Sequence, residues 1–392
     1  MTLDSLITRE TDYRQADALI STCLRGGEAA WPERPTPRFS DTVLGCSEFH
    51  GVHALLYNHL AHARGWPAVV VNRLRDNSVA SAMWESHHQQ ILSRLLGALA
   101  ECGIEPVLFK GTALAYAYYE DPALRSRFDT DMIIASAQRK EAQAILRILG
   151  FQQDAAVSGD LISYQACYWV RDPLGSVHAI DLHWKINNSE LLSRLFTYAE
   201  LRERAVKLSN LSPQALATCP ADALLLACMH RQVHRQSPYW VDGVAYFSAD
   251  RLIWLYDIRM LASTMRRGDW NLLVRLAREK GLSAVCQDGL RRASQLFHTA
   301  CPTRVLDALD PGTRAEPPYT YLHASALQRG FIDFRSLEGT ARKLRFLREL
   351  LFPPAAYMRS QYADVRPDWL PWLYARRAFN GLAKRLRVGR AL

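Results

Sequence analysis

Through the first hundred residues apolar positions recur every three or four, as in "HALLYNHLAHA" (53–63) and "MWESHHQQILSRLLGALAECG" (83–103). That spacing predicts helices, the second of them stopping at Gly103. "PERPTPRFSD" (32–41) reads as a proline-rich loop.

The pattern changes between 104 and 190. "IEPVLF" (104–109) is a short apolar run, "GTALAYAYY" (111–119) is helix-like, and "DTDMIIA" (129–135) predicts a strand. "AQRKEAQAILRILG" (137–150) predicts an amphipathic helix closed by Gly150. Two β-rich runs then flank Asp172-Pro173-Leu174-Gly175. Proline at the second and glycine at the fourth position of a type I turn predict a hairpin. Its second arm puts Asp181 and His183 on one face and Ile180, Leu182 and Trp184 on the other.

From 191 onward the period is helical again, in "PADALLLACMHRQVH" (220–234), "RLIWLYDIRMLASTM" (251–265), "DWNLLVRLAREKG" (269–281) and "SAVCQDGLRRASQLFH" (283–298). Asp269 is expected as the N-cap of the third. The expected architecture is α+β: a helical region over 1–79, a core of mixed sheet and flanking helices over 80–190, and a helical region over 191–392.

Composition adds little to that picture, and charge adds more. Hydrophobic residues make up 49% and charged residues 22% of the 392, an ordinary globular balance. Residues 341–392 carry twelve basic and three acidic side chains, so the whole net charge of +9 sits there and the first 340 residues are balanced. A basic tail implies an anionic partner such as nucleic acid, or simply a solvated helix face. The eight cysteines are scattered, without a CxxC pair, which points to reduced thiols and a cytoplasmic protein. The polar N-terminus is no signal peptide, and no apolar run approaches the roughly 20 residues of a membrane span.

The chemistry concentrates in the core. Asp129 and Asp131, two apart on a strand, project to one face, and Asp181 lies on a strand that can neighbour theirs. Three acids on one face repel unless cations neutralise them, and hard divalent ions with oxygen ligands meet that need, Mg²⁺ above all. Two such ions, about 4 Å apart, can clamp an in-line displacement at phosphorus. Lys110-Gly111-Thr112, where an apolar strand runs into a helix, offers free backbone N–H groups, a hydroxyl and a point charge for phosphate. Arg125 and Arg127 precede the carboxylates and are expected to hold triphosphate oxygens. His183 flanks the site or packs. His230 and His234, one helical turn apart, leave open an acceptor-facing patch, packing, or zinc, although Arg231 stands where an HExxH glutamate would be. Asp257 interrupts an apolar stripe and calls for a basic partner, with these histidines as candidates. The aromatics of "PDWLPWLY" (367–374), near Arg376 and Arg377, leave helix packing and base stacking open.

The run K-G-T-A-L, then R, then D-x-D, followed some fifty residues later by D-L-H-W, resembles the polymerase-β-type nucleotidyltransferase superfamily, and within it a bacterial branch of uncharacterised nucleotidyltransferases. That branch has further similar elements in Gly51-Val52 through Leu55-Leu56-Tyr57, in Trp254-Leu255-Tyr256-Asp257, and in Phe352-Pro353 through Tyr357, Arg359 and Tyr362. The resemblance implies a polymerase-β-like core and transfer of a nucleoside monophosphate from an NTP to an acceptor hydroxyl, releasing pyrophosphate. Asp129, Asp131 and Asp181 would hold Mg²⁺, with Mn²⁺ as the alternative, and Gly111-Thr112 would bind phosphate. One departure is plain: the superfamily's Gly-Gly or Gly-Ser is here Gly111-Thr112 preceded by Lys110. The acceptor stays open between a tRNA, a protein and a small molecule or peptide. Phosphoryl transfer at the same site, or nucleotide or RNA binding without turnover, are the rival readings.

Overall fold

A computed structural model describes residues 3–60, 63–154, 159–235, 239–241, 244–246, 250–362 and 369–388. The helices that open the chain are α1 (Leu3–Leu24), α2 (Phe39–His50), α3 (His53–Asn58) and α4 (Ala68–Glu101). The core follows as β1 (Val107–Phe109), α5 (Gly111–Tyr118), β2 (Asp129–Ile133), α6 (Arg139–Ile148), β3 (Gln152–Gln153), β4 (Gln165–Arg171), β5 (Val177–His183), β6 (Val206–Lys207) and β7 (Leu216–Ala217). Behind it come α7 (Pro220–His234), α8 (Leu252–Thr264), α9 (Arg267–Lys280) and α10 (Ser283–Phe297). Smaller helices lead to α11 (Thr340–Leu351) and α12 (Leu370–Val388).

The seven strands form one mixed sheet in the order β3-β4-β5-β2-β1-β7-β6. β2 runs parallel to β5 and antiparallel to β1, and β1 runs parallel to β7. Strand alternation sorts the core into two layers. Leu108, Met132, Ile134, Ile180 and Leu182 pack with Leu92, Leu95, Leu96 and Leu99 of α4 and with Ile145 and Leu146 of α6. Val107, Phe109 and Ile133 face the opposite way, into the cluster that holds Leu224 and Leu225 of α7 and Tyr256 and Ile258 of α8. The functional question therefore concerns the side of the sheet that faces α7 and α8.

The hairpin turn closes with a bond from Gly175 N to Asp172 O of 3.0 Å, and the Asp172 carboxylate accepts from Leu174 N and Ser176 N at 2.9 and 2.8 Å. Gly103 and Gly150, at φ +69° and +89°, stop α4 and α6 in the left-handed region that glycine alone enters without strain.

Several expectations are corrected. Helix α4 crosses residues 79 and 80 unbroken, and β6 and β7 join the sheet from beyond residue 190. The core thus draws on both flanking regions, because β1, paired with β2 on one side, takes its second partner β7 from beyond residue 190. Asp269 is not the N-cap of its helix: α9 starts at Arg267, and Asp269, in the first turn, accepts from Arg266 N at 2.9 Å. The helix expected over 53–63 ends at Asn58, and residues 61–62 lie outside the described residues. In the basic tail, residues 363–368 and 389–392 also lie outside them. Among the described residues no helix is long and apolar enough to cross a membrane.

Candidate active site

Register decides which side chains meet. Asp131 sits opposite Asp181 on β5, and Ile133 opposite His183, so these two acids and the histidine share one sheet face. One ligand atom from each of Asp131, Asp181 and His183 lies within 4.8 Å of the others. Phe109, the last residue of β1, pairs with Asp131, which brings Lys110 beside the carboxylate. Lys110 Nζ donates to Asp131 Oδ1 at 2.7 Å, and His183 Nε2 lies 2.9 Å from the same oxygen. Burial works to raise the Asp131 pKa, but the Lys110 charge and the His183 bond outweigh it and hold the carboxyl well below its usual range. Asp181 accepts from Gln165 Nε2 at 3.0 Å.

Asp129 occupies the same cleft with the opposite balance. Burial, then repulsion from Asp131 and Asp181, raises its pKa to about 6 against the pull of Lys110 and Arg125. Asp129 therefore senses both other carboxylates, while the ion pair with Lys110 goes to Asp131.

The chain turns from β1 into α5 within a single residue. Lys110 takes φ 58° and ψ −138° to do so, and Gly111 opens the helix with its backbone against Arg125. A Cβ at Gly111 would lie 2.9 Å from Arg125 Nη1 and 3.4 Å from Arg127 Cδ. Both Lys110 and Gly111 line the cleft.

Thr112 does not line it. Its side chain turns down onto β2, fully buried, and its hydroxyl meets Thr130 Oγ1 at 2.7 Å and accepts from Arg127 Nε at 2.8 Å. The expected phosphate-binding hydroxyl is a strut beneath the site, because the residue after Gly111 on the helix points inward. Arg127 is a strut as well. Its Nη2 pairs with both Glu85 oxygens at 2.7 and 2.6 Å, and its Nη1 donates to the carbonyls of Pro122 and Arg125. Every donor group of that guanidinium is engaged by protein, so triphosphate would find none free. Arg125 lines the cleft but is pinned from behind by Asp257, at 2.8 and 3.3 Å, with Tyr119 Oη donating to the same carboxylate at 2.7 Å. Burial disfavours the Arg125 charge, yet Asp257 holds its pKa above the ordinary value. The basic partner of Asp257 is thus Arg125 and not a histidine.

Helices α7 and α8 close the other side of a cleft of about 470 Å³. His230 and His234 lie there with ring centroids 4.4 Å apart, each against Trp254. Burial and the nearby Lys110 charge lower both imidazole pKa values, His230 well below the ordinary one. Both rings are therefore neutral at pH 7, and no third ligand joins them in a metal cluster among the described residues. A second cavity of about 480 Å³, lined by His87, Arg94, Phe151 and Asp172, touches none of Asp129, Asp131 and Asp181.

Sequence reasoning missed Arg251. It lines the cleft, donates through Nε to Phe49 O at 2.7 Å, and has no hydrogen-bond partner for its terminal nitrogens among the described residues. Burial and the Arg125 charge lower its pKa to about 10, the condition of a cation placed to meet an anion. Nothing in "ADRLIW" (249–254) signals this, since the hydrogen-bond partner, Phe49, comes from α2.

The family model described as "Uncharacterised nucleotidyltransferase" matches residues 38–298, well over half the chain. No curated protein matches. Among solved structures, the chain is similar to the crystal structure of an antigenic nucleotidyltransferase-like protein from Paracoccidioides brasiliensis, with 17% identity, 54% of this chain and 96% of that one covered, and a TM-score of 0.30. A likeness of that size carries no argument about function.

Proposed function

The chain belongs to the uncharacterised nucleotidyltransferase family, with an α+β nucleotidyltransferase fold, and on that premise we propose that it moves a nucleoside monophosphate from an NTP to an acceptor hydroxyl. The observation that carries the reading is the meeting of Asp131, Asp181 and His183 within 4.8 Å, with Asp129 in the same field, in front of a glycine-led helix start.

The carboxylates of Asp131 and Asp181, with Asp129 beside them, suit a hard divalent cation, while His183, bonded to Asp131, orients that carboxylate; burial and then the two neighbouring acids raise the Asp129 pKa, and such an ion would relieve the repulsion. Asp131 and Asp181, with Asp129 beside them, would hold Mg²⁺, or Mn²⁺, in one or two positions. A bound divalent ion would polarise the α-phosphate and lower the pKa of the attacking hydroxyl.

The protein's own groups supply the rest. The free N–H groups that open α5 and the Lys110 charge draw in the phosphates. Arg125, fixed by Asp257, and Arg251, on the far wall, face the leaving pyrophosphate as charge-assisted donors. The neutral His230 and His234 form the wall along which an acceptor approaches.

Asp131→Asn keeps the shape of the side chain and removes the charge that would grip the ion. It is expected to reduce transfer by a factor of roughly a thousand or more. Label from an α-labelled NTP is followed into tRNA, protein and small hydroxyl compounds with Mg²⁺ present. Undiminished labelling by the variant refutes the assignment. A product heavier by phosphate alone would move the chemistry to phosphoryl transfer.

A further inference from the structure

The cleft does not end at the carboxylates. It continues past Phe128 into a side chamber of about 350 Å³, and Glu48, His53, Arg125 and Phe128 line both spaces. Phe128, the residue before Asp129, stands at the junction with 84% of its surface exposed. Beyond it the lining is mostly apolar, with the polar groups Glu48, His53, Asn77 and Ser81 brought by the N-terminal helices. At the exposed rim Asn77 Nδ2 donates to Glu48 Oε1 at 3.1 Å. His53 Nε2 lies 3.1 Å from both Ser81 Oγ and Ser126 Oγ, while its Nδ1 is buried without a partner.

We propose that this chamber takes the base of the nucleotide, and that the base is guanine. The inference rests on the nucleotidyltransferase reading, which puts the phosphates in the adjoining cleft. An exposed ring at the entrance of a largely apolar chamber with a few polar groups is a stacking platform for a flat heterocycle. Selectivity lies at the edge of the base. Glu48 presents two acceptor oxygens, and Asn77, donating its N–H to one of them, leaves its own carbonyl as another acceptor. Among the four bases only guanine puts two donors side by side on its pairing edge, the ring N1–H and the 2-amino group, to match a carboxylate. Adenine has one donor beside an acceptor there, cytosine one donor followed by two acceptors, and uracil one donor between two acceptors. The opposite wall, with His230, His234 and Trp254, remains for the acceptor.

The full-length protein is titrated by calorimetry in Mg²⁺ with GTP, ATP, CTP and UTP, and with inorganic triphosphate as a probe of the phosphate cleft alone. GTP is expected to bind at least about tenfold more tightly than the others. Glu48→Gln is expected to erase that preference and leave inorganic triphosphate binding unchanged, which also certifies the fold. Phe128→Ala is expected to weaken all four nucleotides by a similar factor without touching triphosphate. Equal binding of the four, a preference for another base, or a Glu48→Gln variant that keeps the preference overturns the proposal while triphosphate binding leaves the transfer reading standing. If neither triphosphate nor any nucleotide binds, the transfer reading itself fails and takes this one with it.

Discussion

Lys110 is held in a backbone conformation that a side chain rarely adopts, at a cost of about 1–3 kcal/mol. The strain persists because β1 must end and α5 begin within that one residue, and because the side chain is then aimed at Asp131. Its neighbour Gly111 is constrained in the opposite sense, by space. A methyl group there meets Arg125 Nη1 at 2.9 Å, and Arg125 cannot swing away while Asp257 holds it. Gly111→Ala is therefore expected to displace the guanidinium from the cleft and weaken NTP binding on the order of tenfold or more, read by calorimetry. Unchanged affinity would mean that Arg125 does not meet the phosphates. The same residue shows the limit of local reading. Asp257 in an apolar stripe announces a buried basic partner, but that partner stands 132 positions away, and nothing in either segment names the other.

Helix α4 does more than cover the sheet. It carries Glu85 and His88 beneath the site, one turn apart on the same face. Glu85 neutralises Arg127 and accepts from Tyr116 Oη at 2.7 Å, and Arg127 in turn fixes Thr112 at the start of α5. Taking away one partner of a buried pair leaves the other charge without compensation, a loss of about 3–5 kcal/mol. Glu85→Ala is expected to lower the urea midpoint accordingly, whereas an exposed pair such as Arg75 with Asp76 should contribute little. A variant at Glu85 with wild-type stability would show that α4 does not support the site. The second half of the helix was plain in its apolar period, but its start at Ala68 was not. Nor was the helix's service to the site, because Glu85 and His88 look like ordinary polar residues of an amphipathic helix until β2 and α5 are laid against them.

At the scale of the whole molecule the same layer sets a dependence on pH. His88 is buried between Thr130 Oγ1, at 2.7 Å, and His178 Nδ1, at 3.2 Å. Burial, the Arg127 charge and His178 hold its pKa well below 6.5. The unfolded chain takes up that proton as pH falls through 6.5, and the folded chain does not, so stability is full above this value and declines below it. Between about pH 7 and 6 the loss is roughly 0.7 kcal/mol for this histidine. Asp129, raised to about 6, acts in the opposite sense, and His53, His178, His230 and His234, all lowered, act in the same sense as His88, so its share is the difference between wild type and His88→Asn. Urea midpoints across this interval should fall toward pH 6, and His88→Asn should flatten the slope. A His88→Asn slope equal to that of wild type would contradict the buried neutral imidazole.

By itself the sequence determined what the geometry of adjacent residues enforces. Strand alternation put Asp129 with Asp131 and Asp181 with His183, glycines marked the ends of α4 and α6, and Asp172-Pro173-Leu174-Gly175 made the hairpin turn. These follow from bond geometry and fixed periods, which need no distant partner. Tertiary structure alone decided that Asp131 faces Asp181, that Thr112 and Arg127 support the site from below, and that Arg251 and the histidines of α7 close it from above. Such contacts depend on which apolar faces pack together and in what register. That choice is made by the summed burial of many side chains, so no single segment carries it.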